Sequence, residues 1–475
     1  MLYIFELANN HQGNVSHGLN IIREMGALAR KHKINGAVKF QYRDLDTFIH
    51  KDAEPVGHIK RFQETRLNDS AFKILVDAVK QEGLTTVCTP FDEASVGKIV
   101  RHGIDVIKVA SCSAHDWPLL EEIAKAGKPV IISTGGRSIY DIDKIYNFFT
   151  HRKVQFSILH CVSEYPAKWF DMCFIDKMKR RYSVPIGYSG HEAPDNLLPG
   201  QIAVAKGAEI LERHVGIGDL NKYSMTPEQV DAWLTATKAA KEVCGSEDKR
   251  VSVTEQNSLK SLKRGVYAKD YIREGERLGD NVYFAMPCMG MSADEYSPDT
   301  IATQHYAKDA PICEQRPEEL SREVRHYIHD CKGLIHEANI HLGQDYSVEL
   351  SHHYGLDKFR DVGAFIINLI NREYCKKLIV MLPGQRHPTH HHKKKEETFQ
   401  ILHGDLRVIL DGTVRVLKPG DLLLVERGKD HSFMTDKGCI FEEVSTTHYK
   451  GDSYYRDEKI ARVDPIRRKT VLDSI

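Results

Sequence analysis

Eight short apolar segments recur through the first 215 residues, and each of them ends in polar side chains. Most are followed by a stretch with helical spacing of apolar residues, such as His17–His32 and Ser70–Gly83. Eight strand-then-helix units predict an α/β fold with a parallel (β/α)8 TIM barrel, whose chemistry lies at the carboxyl ends of the strands. The predicted strand segments are Leu2–Asn9, Gly36–Gln41, Thr85–Phe91, Asp105–Ser111, Pro129–Gly135, Phe156–Val162, Pro185–His191 and Glu209–Val215.

The pattern changes after the helix predicted at Met225–Val243, which should close the barrel. The polar stretch Gly245–Ser258 is typical of a linker, and Glu318–Ile340 has helical spacing. Alternation in FQILHGDLRVIL and the turn signal Asp411-Gly412 predict a β-hairpin near the end of the chain. The predicted units are a barrel domain at 1–245, a small β-rich domain at 259–313, a helical linker at 314–343 and an all-β domain at 344–475.

Composition and charge narrow the function classes. The 66 basic and 66 acidic residues balance, so the net charge gives no reason to expect a nucleic-acid or membrane partner. The apolar runs are strand-sized, far short of the roughly 18 residues that a membrane span requires. The chain begins directly in the first predicted strand without a signal-peptide pattern. Ten cysteines without a pairing pattern fit a reducing compartment, and we expect a cytoplasmic protein.

Lysines and hydroxyls lie at the carboxyl ends of the predicted strands. Lys39 and Gln41 are two residues apart and therefore point to the same side. A buried charge is costly, so Lys39 must meet either a carboxylate, as in a structural ion pair with Glu6, or a bound anion. Lys108 brings a second cation to the same face, which favours a pocket for phosphate and carboxylate groups. The hydroxyls that join them are Ser111, Ser133, Thr134, Ser163 and Ser189.

Histidines mark three of the strand ends. They are His160, His191 and His214, and a lone barrel histidine is more often a hydrogen-bonded structural residue than a ligand. His191 and His214 end the seventh and eighth strands, which are neighbours in a barrel. Two imidazoles at adjacent strand ends predict a shared divalent metal with open positions for water and substrate.

A second set of histidines lies in the C-terminal domain. Gly384, His390, His392, Glu397 and Gly404 have the spacing of the first cupin motif. Two histidines one residue apart on a strand share a face, and a carboxylate with a distant histidine completes a three-His, one-Glu metal site. The alternative is a solvated basic loop with chance histidines. The residues that supply the second cupin motif are Pro419, Gly420 and His431.

Over about residues 1–313 the chain resembles the sialic acid synthase family, the phosphoenolpyruvate-dependent aldulosonate synthases. The segment RGVYAKDYIREGERL resembles the start of that family's small SAF (antifreeze-like, β-clip) domain. The barrel motifs that carry the resemblance are FELANNHQG (Phe5–Gly13), AVKFQ (Ala37–Gln41), TPFD (Thr89–Asp92), IKVAS (Ile107–Ser111), GKPVIISTGG (Gly127–Gly136), LHCVSEYP (Leu159–Pro166), GYSGH (Gly187–His191) and LERH (Leu211–His214).

The resemblance implies condensation of phosphoenolpyruvate with an aldose, which gives a 3-deoxy-2-ulosonic acid and phosphate. It implies a homodimer and identifies His191 and His214 as ligands of manganese, with magnesium as the other candidate. Glu6 matches a catalytic glutamate, and Gln41 and Tyr165 match sugar contacts. The residues that match the phosphoenolpyruvate clamp are Lys39, Lys108, Ser133, Ser163 and Ser189.

The departures from the family concern the sugar. Ser113 replaces a glutamate that holds the acylated sugar, and Gly190 replaces the aspartate before the strand-seven histidine. The loop after strand eight is shortened to Gly216–Ser224, and the arginine that the family's SAF domain sends into the partner's pocket is absent from FAMPCMGM (Phe284–Met291). We therefore expect a sugar other than N-acetylmannosamine.

The C-terminal domain resembles the D-lyxose isomerase type of cupin in Leu382–Gln385, Lys395–Phe399 and Glu443–Thr446. The implied metal is Mn²⁺, Zn²⁺, Fe²⁺ or Ni²⁺. The resemblance suggests that the cupin makes or selects the aldose that the barrel condenses. Two alternatives stay open: a sugar-binding or regulatory protein with a degenerate barrel, and an isomerase in which the cupin alone is active. The implied residues are His390, His392, Glu397 and His431 as ligands and Lys395 and Glu443 as proton-transfer groups.

Overall fold

The computed structural model describes residues 1–315 and 320–472. The chain divides into two compact units, Met1–Arg250 and Val251–Ile475. Among the described residues, no helix is both long and apolar enough to cross a membrane.

The first unit is a closed barrel of eight parallel strands in sequential order, which confirms the predicted fold. Its strands are buried along almost their whole length, as their continuous apolar runs predict for a sheet covered on both faces. The strands are β1 (Leu2–Glu6), β2 (Asn35–Tyr42), β3 (Thr85–Pro90), β4 (Val106–Val109), β5 (Val130–Ser133), β6 (Phe156–Cys161), β7 (Ile186–Gly190) and β8 (Ile210–His214).

Helices surround the barrel and pack their apolar faces on it. Asn14 caps the first helix by accepting from the backbone N–H of His17, and Asn68 caps the fourth in the same way at Ala71. The helices are α1 (Val15–His32), α2 (Leu45–Phe48), α3 (Gly57–Glu64), α4 (Asp69–Gln81), α5 (Glu93–Arg101), α6 (Trp117–Lys125), α7 (Ile139–His151), α8 (Phe174–Arg181), α9 (Leu198–Ala205) and α10 (Pro227–Cys244).

The strand register places several polar residues of the carboxyl ends side by side. Glu6 is the pairing partner of Lys39 on one side and of His214 on the other. Ser189 pairs with Glu212 in the same way between β7 and β8. Because neighbouring strands lie about 4.8 Å apart, these side chains meet at one end of the barrel.

The second unit begins with a helix that sequence reasoning missed. The predicted linker Gly245–Ser258 contains the start of α11 (Val253–Ser261), because Ser252 caps the helix by accepting from the N–H of Glu255. A two-stranded antiparallel sheet of β9 (Gly265–Ala268) and β10 (Val282–Ala285) follows, with a small apolar core of its own.

The rest of this unit is helix α12 (Leu320–Glu337) and two sheets of seven and five strands, with one apolar core between the sheets and another beneath α12. The first residues of the predicted 318–340 helix lie outside the described residues. The hairpin at Asp411-Gly412 is confirmed, with positive φ at both residues. The elements are β11 (Ser347–His352), β12 (Gly363–Asn371), β13 (Tyr374–Met381), β14 (Arg386–His391), β15 (Glu397–Gly404), β16 (Leu406–Leu410), β17 (Thr413–Leu417), β18 (Leu422–Val425), β19 (His431–Met434), β20 (Cys439–Thr446), β21 (Tyr454–Tyr455), α13 (Glu458–Ala461) and β22 (Lys469–Leu472).

Candidate active site and candidate metal centre

A cavity of about 810 Å³ opens at the carboxyl ends of the barrel strands. Eleven of the strand-end and loop residues that the sequence indicated line this cavity, whereas Thr134 and His160 do not. The eleven are Glu6, Lys39, Gln41, Lys108, Ser111, Ser133, Ser163, Tyr165, Ser189, His191 and His214.

A buried ionic network forms the floor of this cavity. The Lys39 ammonium contacts the carboxylates of both Glu6 and Glu212, the latter at 2.8 Å. Burial lowers the pKa of Lys39 to about 8, and the Glu212 carboxylate opposes that shift. Both alternatives for Lys39 are therefore present together: it has carboxylate partners, and it still lines the cavity where an anion could bind.

Lys108 extends the network across the barrel. Its ammonium lies 2.5 Å from the hydroxyl of Ser133 and 3.4 Å from Glu212. Ser189 donates a hydrogen bond to the same Glu212 carboxylate at 2.8 Å. Burial alone would raise the pKa of Glu212, but the two lysines outweigh burial and hold that pKa well below its usual range. Glu212 is therefore a carboxylate, and it joins strands that are far apart in sequence.

His191 and His214 lie next to each other, with ring centroids 5.4 Å apart. His191 donates from Nδ1 to the Val162 carbonyl at 3.0 Å, which leaves its Nε2 as an acceptor. The Nδ1 of His214 is buried without a partner among the described residues. Burial lowers the pKa of His191 to about 4 and holds the pKa of His214 well below its usual range, so both rings are neutral near pH 7. Neutral imidazoles with free nitrogens fit a divalent metal.

Two tyrosines cover this histidine pair. The Tyr165 ring lies 4.4 Å from His191, and Tyr223 lies 5.0 Å from His214 and 5.1 Å from Tyr165. Burial raises the pKa of Tyr165 to about 12, so its hydroxyl is a donor at neutral pH. Tyr223 belongs to the shortened loop Gly216–Ser224, where Asn221 accepts from its backbone N–H. The short loop therefore still contributes to the cavity wall.

Two strand-end residues do not belong to the cavity lining. His160 faces the Phe170 carbonyl at 2.6 Å and packs against Phe174, so it is the structural kind of barrel histidine. Thr134 donates to the Leu159 carbonyl at 2.9 Å. Both side chains therefore form hydrogen bonds with backbone carbonyls near β6 instead of lining the cavity.

The structure gives a physical reason for Gly190. A Cβ at this position would lie 2.5 Å from the carboxylate of Glu192. Glu192 is fully buried, pairs with Arg213 at 2.6 Å and accepts from the Tyr188 hydroxyl. The carboxylate that follows His191 therefore occupies the space that an aspartate before it would need. Ser113 is buried in a 3₁₀ turn, Ser111–Ser113, beside the cavity.

Sequence reasoning missed several residues of the lining. Glu212 was present in the LERH motif two positions before His214, and strand alternation would have placed both on one face. The lining residues that the sequence did not indicate include Glu212, Tyr223, Asn221, Arg43, Arg61 and Arg137.

The C-terminal unit holds a second cluster, and its three histidines bring one ring nitrogen each within 4.8 Å of one another. The Nδ1 of each ring faces a backbone carbonyl: Pro388 for His390 at 3.0 Å, Asp452 for His392 at 2.6 Å and Lys429 for His431 at 3.1 Å. A carbonyl only accepts, so each Nδ1 carries a proton, which leaves Nε2 as the ring nitrogen that could bind a metal. Fixed tautomers of this kind are typical of metal-ligating histidines.

Glu397 completes the cluster. Its carboxylate lies 3.1 Å from Nε2 of His392 and 3.4 Å from Nε2 of His431. Burial alone would raise the pKa of Glu397, but the Lys395 ammonium, which contacts it, and the imidazoles hold that pKa well below its usual range. The residues predicted for the cupin site are thus brought together, and the donor set of three imidazole nitrogens and one carboxylate suits a divalent metal.

Lys395 connects this cluster to a second carboxylate. Its ammonium lies 2.8 Å from Glu443 and also contacts Glu397. Burial alone would lower the pKa of Lys395, but the two carboxylates raise it instead. The turn that carries Lys395 is fixed because its backbone N–H and those of the two preceding lysines donate to Asp452. A charged lysine and a carboxylate therefore stand beside the candidate ligands.

The barrel cavity has the features of an enzyme site: it lies at the catalytic end of a (β/α)8 barrel and gathers buried groups with strongly shifted pKa values. The chain belongs to the NeuB family, whose model matches residues 28–249. Residues 377–441 match the cupin domain.

Three relatives illustrate the similarity. The crystal structure described as spore coat polysaccharide biosynthesis protein E from Chromobacterium violaceum is 45% identical, covers 66% of this chain and 98% of its own, and superposes with a TM-score of 0.62. The N,N'-diacetyllegionaminic acid synthase of Campylobacter jejuni is 26% identical over 66% of this chain and 99% of its own length. The human N-acetylneuraminate-9-phosphate synthase is 28% identical over 57% and 79%.

Proposed function

We propose that the barrel condenses phosphoenolpyruvate with an aldose other than N-acetylmannosamine, giving a 3-deoxy-2-ulosonic acid and phosphate. The observation that carries this proposal is the single cavity in which two buried lysines and several hydroxyls lie beside a pair of neutral histidines. Relatives of this chain that are named legionaminic, pseudaminic and N-acetylneuraminate-9-phosphate synthases support a condensation of this class.

The lysines and hydroxyls would bind phosphoenolpyruvate. Lys39 and Lys108 offer ammonium donors to its phosphate and carboxylate, and Ser133 and Ser189 lie within the same hydrogen-bonded network. Glu6 and Glu212 keep both lysines in place while no anion is bound. Carbon 3 of phosphoenolpyruvate forms the new bond to the aldehyde carbon, water adds at carbon 2, and the C–O bond to phosphate breaks.

His191 and His214 fit a divalent metal such as Mn²⁺, because both rings are neutral and the Nδ1 of His214 has no protein partner. When bound, the metal would supply Lewis-acid polarisation of the aldehyde. Tyr165 and Gln41 line the same cavity and would orient the sugar chain. Glu6, held by Lys39, is placed to orient a group or move a proton.

The test is consumption of phosphoenolpyruvate with Mn²⁺ across N-acetylmannosamine, mannose, fructose, lyxose, xylulose and arabinose. We expect turnover with an unacylated aldose, and His191→Ala should lower kcat/KM by about 100-fold or more. The exposed His151, at the end of α7, gives the matched control His151→Ala, which should keep full activity. Turnover of N-acetylmannosamine at the highest rate would overturn the sugar assignment.

For the cupin we propose metal-dependent aldose–ketose isomerisation that supplies the aldose. Lys395 and Glu443, 2.8 Å apart beside the His390, His392 and His431 cluster, are the proton-transfer pair. Turnover with a ketose that disappears when His390 and His392 become alanine would support it. The competing hypothesis, a cupin that only binds sugar or regulates the barrel, would be supported if ketoses bind but never isomerise.

A barrel that binds phosphoenolpyruvate but never consumes it would favour the alternative of a sugar-binding or regulatory protein with a degenerate barrel.

We also propose that the protein is a cytoplasmic homodimer, as the family resemblance implies. Sedimentation equilibrium of the full chain tests the dimer, and a monomer at micromolar concentration would contradict it.

A further inference from the structure

The mouth of the barrel cavity carries arginines that the proposed condensation does not use. Arg43, Arg61 and Arg137 all line the cavity. Other arginines of this unit pair with carboxylates, as Arg66 does with Asp46. Within residues 1–315 and 320–472, none of the three lining arginines forms a salt bridge, although the Asp92 carboxylate is near enough to Arg43 to oppose the lowering of its pKa by burial.

Arg43 is the most rigidly held of the three. It follows Lys39 and Gln41 at intervals of two, so the three side chains step outward along one side of β2. Its guanidinium lies between the rings of Phe62 and Phe91, with centroids 4.0 and 3.6 Å away. Stacking on both faces leaves only the in-plane N–H groups free, and one of these donates to Gln41 at 3.0 Å.

Two of these guanidinium groups keep a buried donor without a partner. The Nε of Arg43 and the Nε of Arg137 are both buried and make no hydrogen bond among the described residues. Arg137 spends another N–H on the Ser111 carbonyl at 3.0 Å. Arg61 precedes Phe62, the ring that stacks on Arg43, so α3 adds another positive charge beside it. Buried donors of this kind need an acceptor, and a ligand in the cavity is the one the geometry offers.

Charge balance shows what that acceptor is. At the floor of the cavity Lys39 and Lys108 are already balanced by Glu6 and Glu212. A divalent metal there would offset most of the charge of phosphoenolpyruvate, which combines a carboxylate with a phosphate of about −1.5 to −2. Glu6 and Glu212 are also the carboxylates of the lining. A neutral sugar would therefore leave the arginines at the mouth without a paired anion, apart from the influence of Asp92 on Arg43 and the small charge that phosphoenolpyruvate retains.

We propose that the sugar carries a phosphate monoester at the end remote from its aldehyde, and that Arg43 and Arg61 bind this phosphate. The inference rests on the proposed condensation and names the substrate class of the same cavity. Planar guanidinium groups bind phosphate through paired N–H donors. Arg137 adds positive potential at the same mouth. Gln41, held by Arg43, would contact the sugar between its two ends.

The test variant is Arg61→Gln in the full chain, because Arg61 is partly exposed and has no partner whose loss would unfold the protein. Its matched control is the neighbouring Lys60→Gln, whose side chain is exposed and faces Glu64 at 3.8 Å. With Mn²⁺ and saturating phosphoenolpyruvate, each protein is titrated with mannose 6-phosphate, N-acetylmannosamine 6-phosphate, arabinose 5-phosphate and their unphosphorylated counterparts. Affinity for phosphoenolpyruvate alone and its consumption are measured in the same samples.

We expect at least one phosphorylated sugar to bind about tenfold or more tightly than its unphosphorylated counterpart, the size of one charge-assisted contact. Arg61→Gln should remove that preference, Lys60→Gln should keep it, and neither should change the affinity for phosphoenolpyruvate. Equal affinity within every pair overturns the proposal. An equal loss of phosphoenolpyruvate affinity in Arg61→Gln also overturns it, since the arginine would then serve the other substrate. Binding as expected without consumption of phosphoenolpyruvate would refute the condensation and leave the phosphate subsite standing.

Discussion

The candidate sites of the barrel and of the cupin share one arrangement of charged residues but assemble it from different parts of the chain. Each buries a lysine between two carboxylates beside a group of imidazoles: Lys39 between Glu6 and Glu212 in the barrel, and Lys395 between Glu397 and Glu443 in the cupin. The barrel collects its members from strand ends spread between residues 6 and 214, whereas the cupin collects them between residues 390 and 443. Closure of the parallel barrel therefore brings together the residues of the first site, which are distant in sequence. In the second site, a few neighbouring antiparallel strands bring the residues together.

The imidazoles differ in how they are anchored. All three cupin histidines donate from Nδ1 to a backbone carbonyl, and for His390 and His431 that carbonyl is two residues earlier in the chain. In the barrel His191 is anchored, while Nδ1 of His214 has no partner. We infer that the cupin ligands are preorganised for a metal, while the barrel pair depends more on water and substrate for its remaining ligands.

The largest expected effect comes from removing either buried lysine. Lys39→Met and Lys395→Met each remove the lysine in contact with a fully buried carboxylate, Glu6 or Glu397, which should lower the free energy of unfolding by about 3–5 kcal/mol. The second carboxylate of each site keeps a more distant cation, Lys108 for Glu212 and Lys377 for Glu443. All three tryptophans, Trp117, Trp169 and Trp233, lie in the first unit, so their fluorescence reports the barrel. Hydrogen exchange in β13–β20 reports the cupin.

The control for both variants is Lys73→Met, which removes an exposed partner of Asp77 and should cost less than about 0.5 kcal/mol. A loss of that small size for Lys39→Met would mean that the barrel network has access to water. The lysine of the barrel would then not be needed to neutralise buried carboxylates, and the two sites would differ in this respect.

The second prediction concerns metal retention. After dialysis against metal-free buffer, we expect the protein to keep one divalent ion per chain, held by the cupin, because a three-His, one-Glu site offers more ligands than a pair of histidines. His390→Ala combined with His392→Ala should remove it, as measured by elemental analysis. His391→Ala is the matched control, because that ring faces Asp430 at 3.1 Å and stacks on Tyr454. Retention of the ion in the double variant would place the tight site in the barrel instead.

A third prediction uses a barrel histidine outside the candidate metal site. Burial lowers the pKa of His11 to about 4, with a smaller contribution from His17, against an unfolded value of about 6.5. The unfolded chain takes up the proton first, so this contribution to stability is complete above pH 6.5 and is lost as the pH falls towards 4. The loss should reach about 3 kcal/mol, at roughly 1.4 kcal/mol per pKa unit.

In the parent protein, Nδ1 of His11 accepts a hydrogen bond from the Gly13 N–H at 3.1 Å. The variant His11→Asn keeps a side-chain acceptor for this N–H, but its amide does not titrate. Tryptophan fluorescence in urea, compared at pH 7 and pH 4.5, should show a smaller acid loss in the variant. The same acid loss in both proteins would show that His11 is protonated without unfolding.

Much of this arrangement could be predicted from the sequence, because it follows from period and spacing. Strand ends identified the residues of the barrel cavity and its lysines, and the cupin motif identified the residues of the histidine cluster. Glu212 was missed because only its spacing of two residues from His214 indicates the face on which it lies, and its lysine partners come from distant strands. Arg43 and Arg61 were missed because they lie beyond the strand ends, where the path of α3 decides whether a side chain reaches the cavity.

The smallest expected effect tests why the barrel departs from its family at Gly190. In Gly190→Ala the added Cβ meets the Glu192 carboxylate at 2.5 Å, and that carboxylate cannot move without leaving Arg213. We expect a loss of about 1–3 kcal/mol, the usual cost of overpacking. Gly333→Ala is the matched change over the cupin, since Gly333 lies within α12 with nothing within 4 Å of the new Cβ.

Gly333→Ala should be neutral or stabilise by about 0.5–1 kcal/mol, because alanine favours a helix interior over glycine. Adding Glu192→Gln to Gly190→Ala should not restore stability, since the amide has the same volume and pairs less well with Arg213. Adding Glu192→Ala should relieve the overlap but leave Arg213 buried without its carboxylate. If Gly190→Ala alone were as stable as the parent, Glu192 would have room to shift. The glycine would then reflect the choice of sugar rather than the packing of the barrel.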